Sequence, residues 1–227
     1  MSSIASARVA VFPTHRNLDM RAITALIVSG VLIGMAPLSA ESADSATRAL
    51  TPFVMLDVGT EKDSVSPVNN EYFNKHITVG VKTAGKWEYS LKLGTSDKDA
   101  STYKLVSNVI EGKIKKSFEV RKGIYPYISA RFAEKTYSSK TKPYTSSFTY
   151  YSVDAGSKFS LSDSIGLDIG FRFRDSDKYS YQSDRYHAML LFDINESNTI
   201  GLRYSQSSSD NLEEDRESVR LHWQHNF

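Results

Sequence analysis

The sequence predicts an all-β protein, a transmembrane antiparallel up-and-down β-barrel of about ten strands. Three observations carry this. Apolar and polar residues alternate with period two through one segment after another, which is the repeat of a strand and not of a helix. The segment V-R-L-H-W-Q-H-N-F sets Val219, Leu221, Trp223, His225 and Phe227 on one face and Arg220, His222, Gln224 and Asn226 on the other. Short turns alternate with longer polar connections, the pattern of barrels that span an outer membrane. The mean hydropathy of −0.37 fits, because only alternate residues of such a strand meet lipid.

The N-terminal region reads as an export signal. Arg21 precedes an apolar run, Ala22 to Ala36, and then Pro37-Leu38-Ser39-Ala40, giving a charged region, an apolar region and a cut after Ala40. The run is too short for a spanning helix. Met20 stands immediately before this signal. Residues 1–19 are therefore read as an over-extended start, 20–40 as signal peptide, 41–50 as a short periplasmic lead-in and 51–227 as the barrel. The chain has 0 Cys, which excludes a disulfide framework, a thiolate metal site and a Cys nucleophile. A net charge of +2 identifies no partner by itself. The 13 Tyr and 11 Phe suit aromatic girdles at the membrane interfaces.

The strands follow in order. The first is expected over Pro52–Thr60. The second, Tyr72–Lys82, puts Phe73, Ile77, Val79 and Val81 opposite Asn74, His76, Thr78 and Gly80. After a Thr83-Ala84-Gly85 turn, the third has Trp87, Tyr89, Leu91 and Leu93 outward. The fourth, Val106–Val120, has Ile110, Ile114 and Phe118 outward, and Lys116 breaks that pattern through a bulge, a register shift or snorkelling. Arg121-Lys122-Gly123 turns into a fifth strand, Ile124–Phe132. The sixth, Phe148–Leu161, groups Tyr151, Val153, Ala155, Phe159 and Leu161. The seventh alternates Ile165, Leu167, Ile169, Phe171 and Phe173 with Gly166, Asp168, Gly170, Arg172 and Arg174. The eighth, Tyr181–Ile194, carries Tyr186, Ala188, Leu190, Phe192 and Ile194. The ninth sets Ile200, Leu202 and Tyr204 against Gly201, Arg203 and Ser205. Lys135–Ser146 and Ser205–Glu217 are expected as long loops.

The lumen then carries the function. By parity Lys82, Lys86, Lys92, Lys113, Lys115, Arg131, Lys158, Arg172, Arg174, Arg185, Arg203 and Arg220 point inward, against Asp57, Glu88, Glu111, Asp154, Asp168 and Asp193. A cationic lining concentrates anions and disfavours cations, and Arg forks suit carboxylates. The expectation is a channel for passive diffusion of small anionic solutes. Lys92, Lys113, Lys115, Arg131, Arg172, Arg174, Arg185, Arg203 and Arg220 are its anion-selecting residues. The other reading of the same charges is a lumen plugged by ion pairs.

A family resemblance bears on this choice. Leu105-Val106-Ser107-Asn108 followed by Glu111, the run Asn74-Lys75-His76-Ile77-Thr78-Val79, and the charged stretch Asp210 to Glu217 before an aromatic-ended strand resemble the oligogalacturonate-specific porin (KdgM-type) family. The resemblance implies a twelve-stranded monomeric barrel with a basic lumen that passes acidic oligosaccharides. This chain is shorter, and its periodicity counts ten strands. The expected partners are outer-membrane lipid, the barrel assembly machinery, with Trp223 and Phe227 as assembly signal, and a small anionic solute. No cofactor, metal, catalytic residue or nucleic acid is expected. The alternatives are a non-conducting structural or adhesive barrel and a barrel enzyme acting on lipids. The second needs a His beside a Ser or Asp, and His76, His187, His222 and His225 have no such chain neighbours.

Overall fold

A computed structural model describes residues 50–63, 70–99, 104–139, 141, 145–177, 182–209 and 214–227. The expected over-extended start, signal peptide and nearly all of the lead-in lie outside these residues. Leu50, read as the end of the lead-in, instead opens the first strand. Ten antiparallel strands form one closed barrel. They are β1 (Leu50–Asp63), β2 (Asn70–Thr83), β3 (Trp87–Asp99), β4 (Lys104–Ser117) and β5 (Ile124–Ser139), then β6 (Thr145–Ser160), β7 (Ile165–Ser176), β8 (Ser183–Asp193), β9 (Asn198–Ser209) and β10 (Glu214–Asn226). Each strand pairs with its chain neighbours, and β1 pairs with β10 to close the circle. The twelve strands implied by the resemblance are not present: the described chain closes with ten.

The tilt of the strands can be read from the pairing. From Val58 the register runs one way through Lys75, Thr95, Asn108 and Thr136 to Ser147. The other way it runs through Leu221, Leu202, Leu190 and Leu167 to Phe159. The two ends fall twelve residues apart on β6, a shear that tilts ten strands by roughly 40° from the axis. The first path climbs into polar residues while the second stays apolar, as tilted strands crossing an apolar band require.

Burial is inverted relative to a soluble protein. The fully buried large side chains are acids and a serine, with Glu111 and Asp154 each 1% exposed. Leu56, Ile77, Leu93, Ile110, Ile128, Val153, Ile169, Leu202 and Leu221 are all exposed. Along β6 the outward apolar run from Tyr151 to Phe159 spans about 20 Å at that tilt, near the ~25 Å band of such barrels. Exposed Phe73, Tyr151, Phe173, Tyr186 and Tyr204 border the band on one side, and Trp87, Phe118, Trp223 and Phe227 on the other. Closure leaves no open edge, whose unpaired groups would each cost several kcal/mol in lipid. An even number of antiparallel strands, an apolar outside and a polar inside make this a transmembrane barrel of the outer membrane.

The connections differ from the expectation. On the side where β1 starts and β10 ends (the turn side), residues 84–86, 118–123, 161–164 and 194–197 link the strands. On the other (the loop side), residues 64–69, 100–103, 140–144, 177–182 and 210–213 do so. The long polar loops read from the sequence are largely strand: Lys135–Ser139 belongs to β5 and Ser205–Ser209 to β9. Above the apolar band the outer face meets water, so strand pairing continues with Ser, Thr, Glu and Lys on both faces and its hydropathy resembles that of a loop. The turn signals do hold. Gly123 takes a positive φ of 84°, and Ile124 N–H donates to the Arg121 carbonyl at 2.9 Å. In the β2–β3 turn the positive φ falls on Lys86, at 60°, and not on Gly85.

Lys116 does face outward. Its ammonium donates to the Gly85 carbonyl at 2.6 Å and lies over the rings of Trp87 and Phe118 at 4.9 and 5.8 Å. There is no bulge, because the β3–β4 register runs unbroken from Trp87↔Lys116 to Asp99↔Lys104. The residue snorkels to the turn-side interface.

Candidate functional site: the lumen

Strand alternation turns a charged face inward from every wall, and at mid-height those charges meet. Glu111 of β4 accepts from Lys92 Nζ at 2.9 Å, Arg131 Nη1 at 2.8 Å and the Tyr150 hydroxyl at 2.9 Å. Asp154 of β6 accepts from Arg131 Nε at 2.7 Å, Arg172 Nε at 2.5 Å and the Ser129 hydroxyl at 2.7 Å. Arg131 joins the two acids. Each buried carboxylate thus has several donors, which is what makes a buried charge tolerable. A second hub sits on β1: Glu61 faces Arg220, Arg185 and Arg216 at 3.2, 3.6 and 3.7 Å.

On the loop side of this lattice Ala133, Phe148 and Tyr150 form a buried cluster inside the barrel, with Val109 and Tyr137 packed against it. Arg174 lies over the Tyr150 ring at 4.4 Å. On the turn side lies a cavity of about 930 Å³. Its lining runs from Lys82, Asp163, Asn195 and Asn226 near the turns up to Glu111, Arg131, Arg172, Arg185 and Arg220.

The cations singled out from the sequence divide accordingly. Lys92, Lys113, Lys115, Arg131, Arg172, Arg185, Arg203 and Arg220 line the cavity, and Arg174 stands above it. Lys113 pairs with Glu88. Lys86 occupies the turn at the mouth and pairs with Glu119 at 2.5 Å, so it is not a strand residue of the wall. Glu61, Lys135 and Arg216 lie beyond the strand ends expected from the sequence, because β1 and β5 run further and β10 starts earlier. Continued parity from Asp57, Arg131 and Arg220 would have found them.

The histidines also pair across strands. His222 Nδ1 lies 3.1 Å from Asp57 Oδ1, and His187 Nε2 lies 3.3 Å from Asp168 Oδ1. Tyr127 donates to Asp168 at 2.8 Å and lies 3.2 Å from His187 Nε2. Neither pair is visible among chain neighbours, since the partners are 165 and 19 residues apart. Among the described residues no serine or threonine hydroxyl hydrogen-bonds to either imidazole. His225 faces outward, 6.1 Å from Trp223 and edge-on to Phe227 at 4.7 Å between ring centroids.

No protein-family model matches the chain, and no curated protein matches it. Solved structures do. The β-domain of the Bordetella autotransporter BrkA is similar at a TM-score of 0.49 and 11% identity, over 79% of this chain and 100% of that one. The NanC porin is similar at 0.46 and 10%, over 76% and 100%. The KdgM porin in complex with disordered oligogalacturonate is similar at 0.33 and 8%, over 76% and 99%. Likeness at this level assigns neither family nor activity to the chain.

Proposed function

We propose that this barrel is a narrow, anion-preferring outer-membrane channel for passive diffusion of small solutes, with acidic saccharides as the natural class to test. The observation that carries the reading is the excess of inward cations over inward acids, gathered around a water-accessible cavity. Such a lining raises the local concentration of anions and lowers that of cations. In this reading the lattice of Lys92, Glu111, Arg131, Asp154 and Arg172 is the constriction. An incoming carboxylate takes over donors from Glu111 and Asp154 as it passes, which two-point guanidinium binding allows. One chain closes the barrel, so a monomer suffices. The test is planar-bilayer conductance of the refolded barrel in a salt gradient. Discrete steps with an anion-selective reversal potential are expected, and a cation-selective or ohmically unselective pore would overturn the reading.

A second reading has its own observation. The lattice and the buried cluster of Phe148, Tyr150 and Ala133 occupy the lumen beyond the cavity, which suits a non-conducting structural or adhesive barrel. A folded barrel that stays silent in the bilayer would select it.

A further inference from the structure

We infer that the turn-side half of the lumen is a binding pocket for a small oxyanion carrying two or more charges, entered from the turn side. Four lysines on three strands face this cavity: Lys82, Lys113, Lys115 and Lys158. Lys113, Lys115 and Lys158 act on Lys82 as like charges and Glu88 as an opposite one, and Asp163, Asp168, Asp193 and Glu196 line the same cavity. Glu88 is engaged by Lys113. Lys82 donates to the neutral amide oxygen of Asn226 at 3.0 Å. Lys115 sits 3.8 Å over the Tyr127 ring. Lys158 stands beside Asp168 in the β6–β7 register, but Asp168 is held by Tyr127 and His187. Lys82, Lys115 and Lys158 therefore form no ion pair among the described residues.

Like charges converging on one space repel unless something neutralises them; Asp163, Asp193 and Glu196 also line the cavity, but among the described residues none of them forms an ion pair with Lys82, Lys115 or Lys158. The missing partner is supplied by a solute. A volume of about 930 Å³ admits a molecule of the usual ligand-pocket size. Flexible ammonium groups act as point charges that adapt to phosphate or carboxylate oxygens. The mid-lumen lattice forms the inner end of the cavity, so entry is from the turns. Binding of this kind does not require the lumen to conduct, and it shares with the channel reading only the sign of the wall.

The test is isothermal titration of the refolded full barrel in detergent with inorganic pyrophosphate and, separately, citrate. Saturable binding at one site is expected for a multiply charged oxyanion, with the stronger of the two probes reporting phosphate or carboxylate preference. Lys115→Gln with Lys158→Gln should weaken it at least about tenfold, whereas Lys75→Gln on the outer face should not. Lys82→Gln at the mouth serves as the second variant where the double one does not refold. Absence of saturable binding to both probes, or equal affinity in the lysine variants, overturns the pocket. Saturable binding with a silent bilayer retires the channel and keeps the pocket, and selective conductance without binding does the reverse.

Discussion

The Arg131 guanidinium meets the Asp154 carboxylate at 2.7 Å and, with its other nitrogen, reaches Glu111 at 2.8 Å. One side chain on β5 therefore ties its two neighbouring strands, β4 and β6, together on an inner wall where both acids are almost fully buried. Removing it takes one of two cationic partners from each acid and leaves Lys92 on Glu111 and Arg172 on Asp154. Arg131→Gln is expected to destabilise the barrel by about 3 kcal/mol, through the loss of charge-assisted hydrogen bonds to two buried carboxylates. The measurement is the temperature or denaturant at which the folded band is lost in a heat-modifiability assay. If Asp154→Asn in the same background restores much of the loss, the cost lies in the under-compensated charge and not in packing; an unaffected single variant would show that Arg131 holds nothing together.

Arg172 and Arg174 lie two residues apart on one inward face but do different things. Arg172 pairs with Asp154 at 2.5 Å, while Arg174 stacks on Tyr150. Reversing both, Arg172→Glu with Arg174→Glu, changes the local charge by about four units in the constriction and should shift the bilayer reversal potential toward cations. Unchanged potentials in a barrel that still conducts would take both residues off the permeation path.

Tyr127 points into the barrel over two glycines. A Cβ built on Gly156 would lie 2.5 Å from the Tyr127 hydroxyl oxygen, and one on Gly170 would lie 2.8 Å from it and 2.6 Å from His187 Cε1. The absence of side chains there lets the ring reach Asp168. Gly156→Val is expected to cost about 2 kcal/mol through overpacking. Combined with Tyr127→Ala it should cost less than the two single changes together, because the second removes one of the two groups the first collides with, the other being the Ile169 carbonyl oxygen at 2.5 Å. Strict additivity in a denaturant titration would mean that the ring does not depend on that space.

Which residues face in and which face out was legible almost everywhere, because the two-residue repeat is local and every strand keeps it. Strand ends were not. Lys135, Tyr137 and Arg216 continue inward faces past the membrane band, where the outward partners Glu134, Thr136 and Glu217 are polar too. Two polar faces cannot be told from a loop by hydropathy. Ion-pair partners were not legible either. Asp154 meets Arg131 and Arg172 because β6 is registered Asp154↔Ser129 on one side and Asp154↔Arg172 on the other, and the Asp57–His222 pair exists only because β1 closes on β10. A shear set by the whole circle leaves no mark in a window of ten residues.

Phe227 offers the clearest test of how the chain reaches this state. It lies beyond the last strand, 73% exposed, with its N–H donating to the Pro52 carbonyl at 3.0 Å and its ring edge-on to His225. The backbone bond helps to seal β10 against β1 and does not depend on the side chain. The ring contributes little to internal packing, so Phe227→Gln should change the stability of refolded barrel by less than about 1 kcal/mol. If Trp223 and Phe227 form the outward signal that the assembly machinery reads, the same change should sharply lower the yield of heat-modifiable barrel in cells while refolding in detergent proceeds normally. Equal losses in both settings would make the ring a structural element, and normal yield in cells would remove it from assembly.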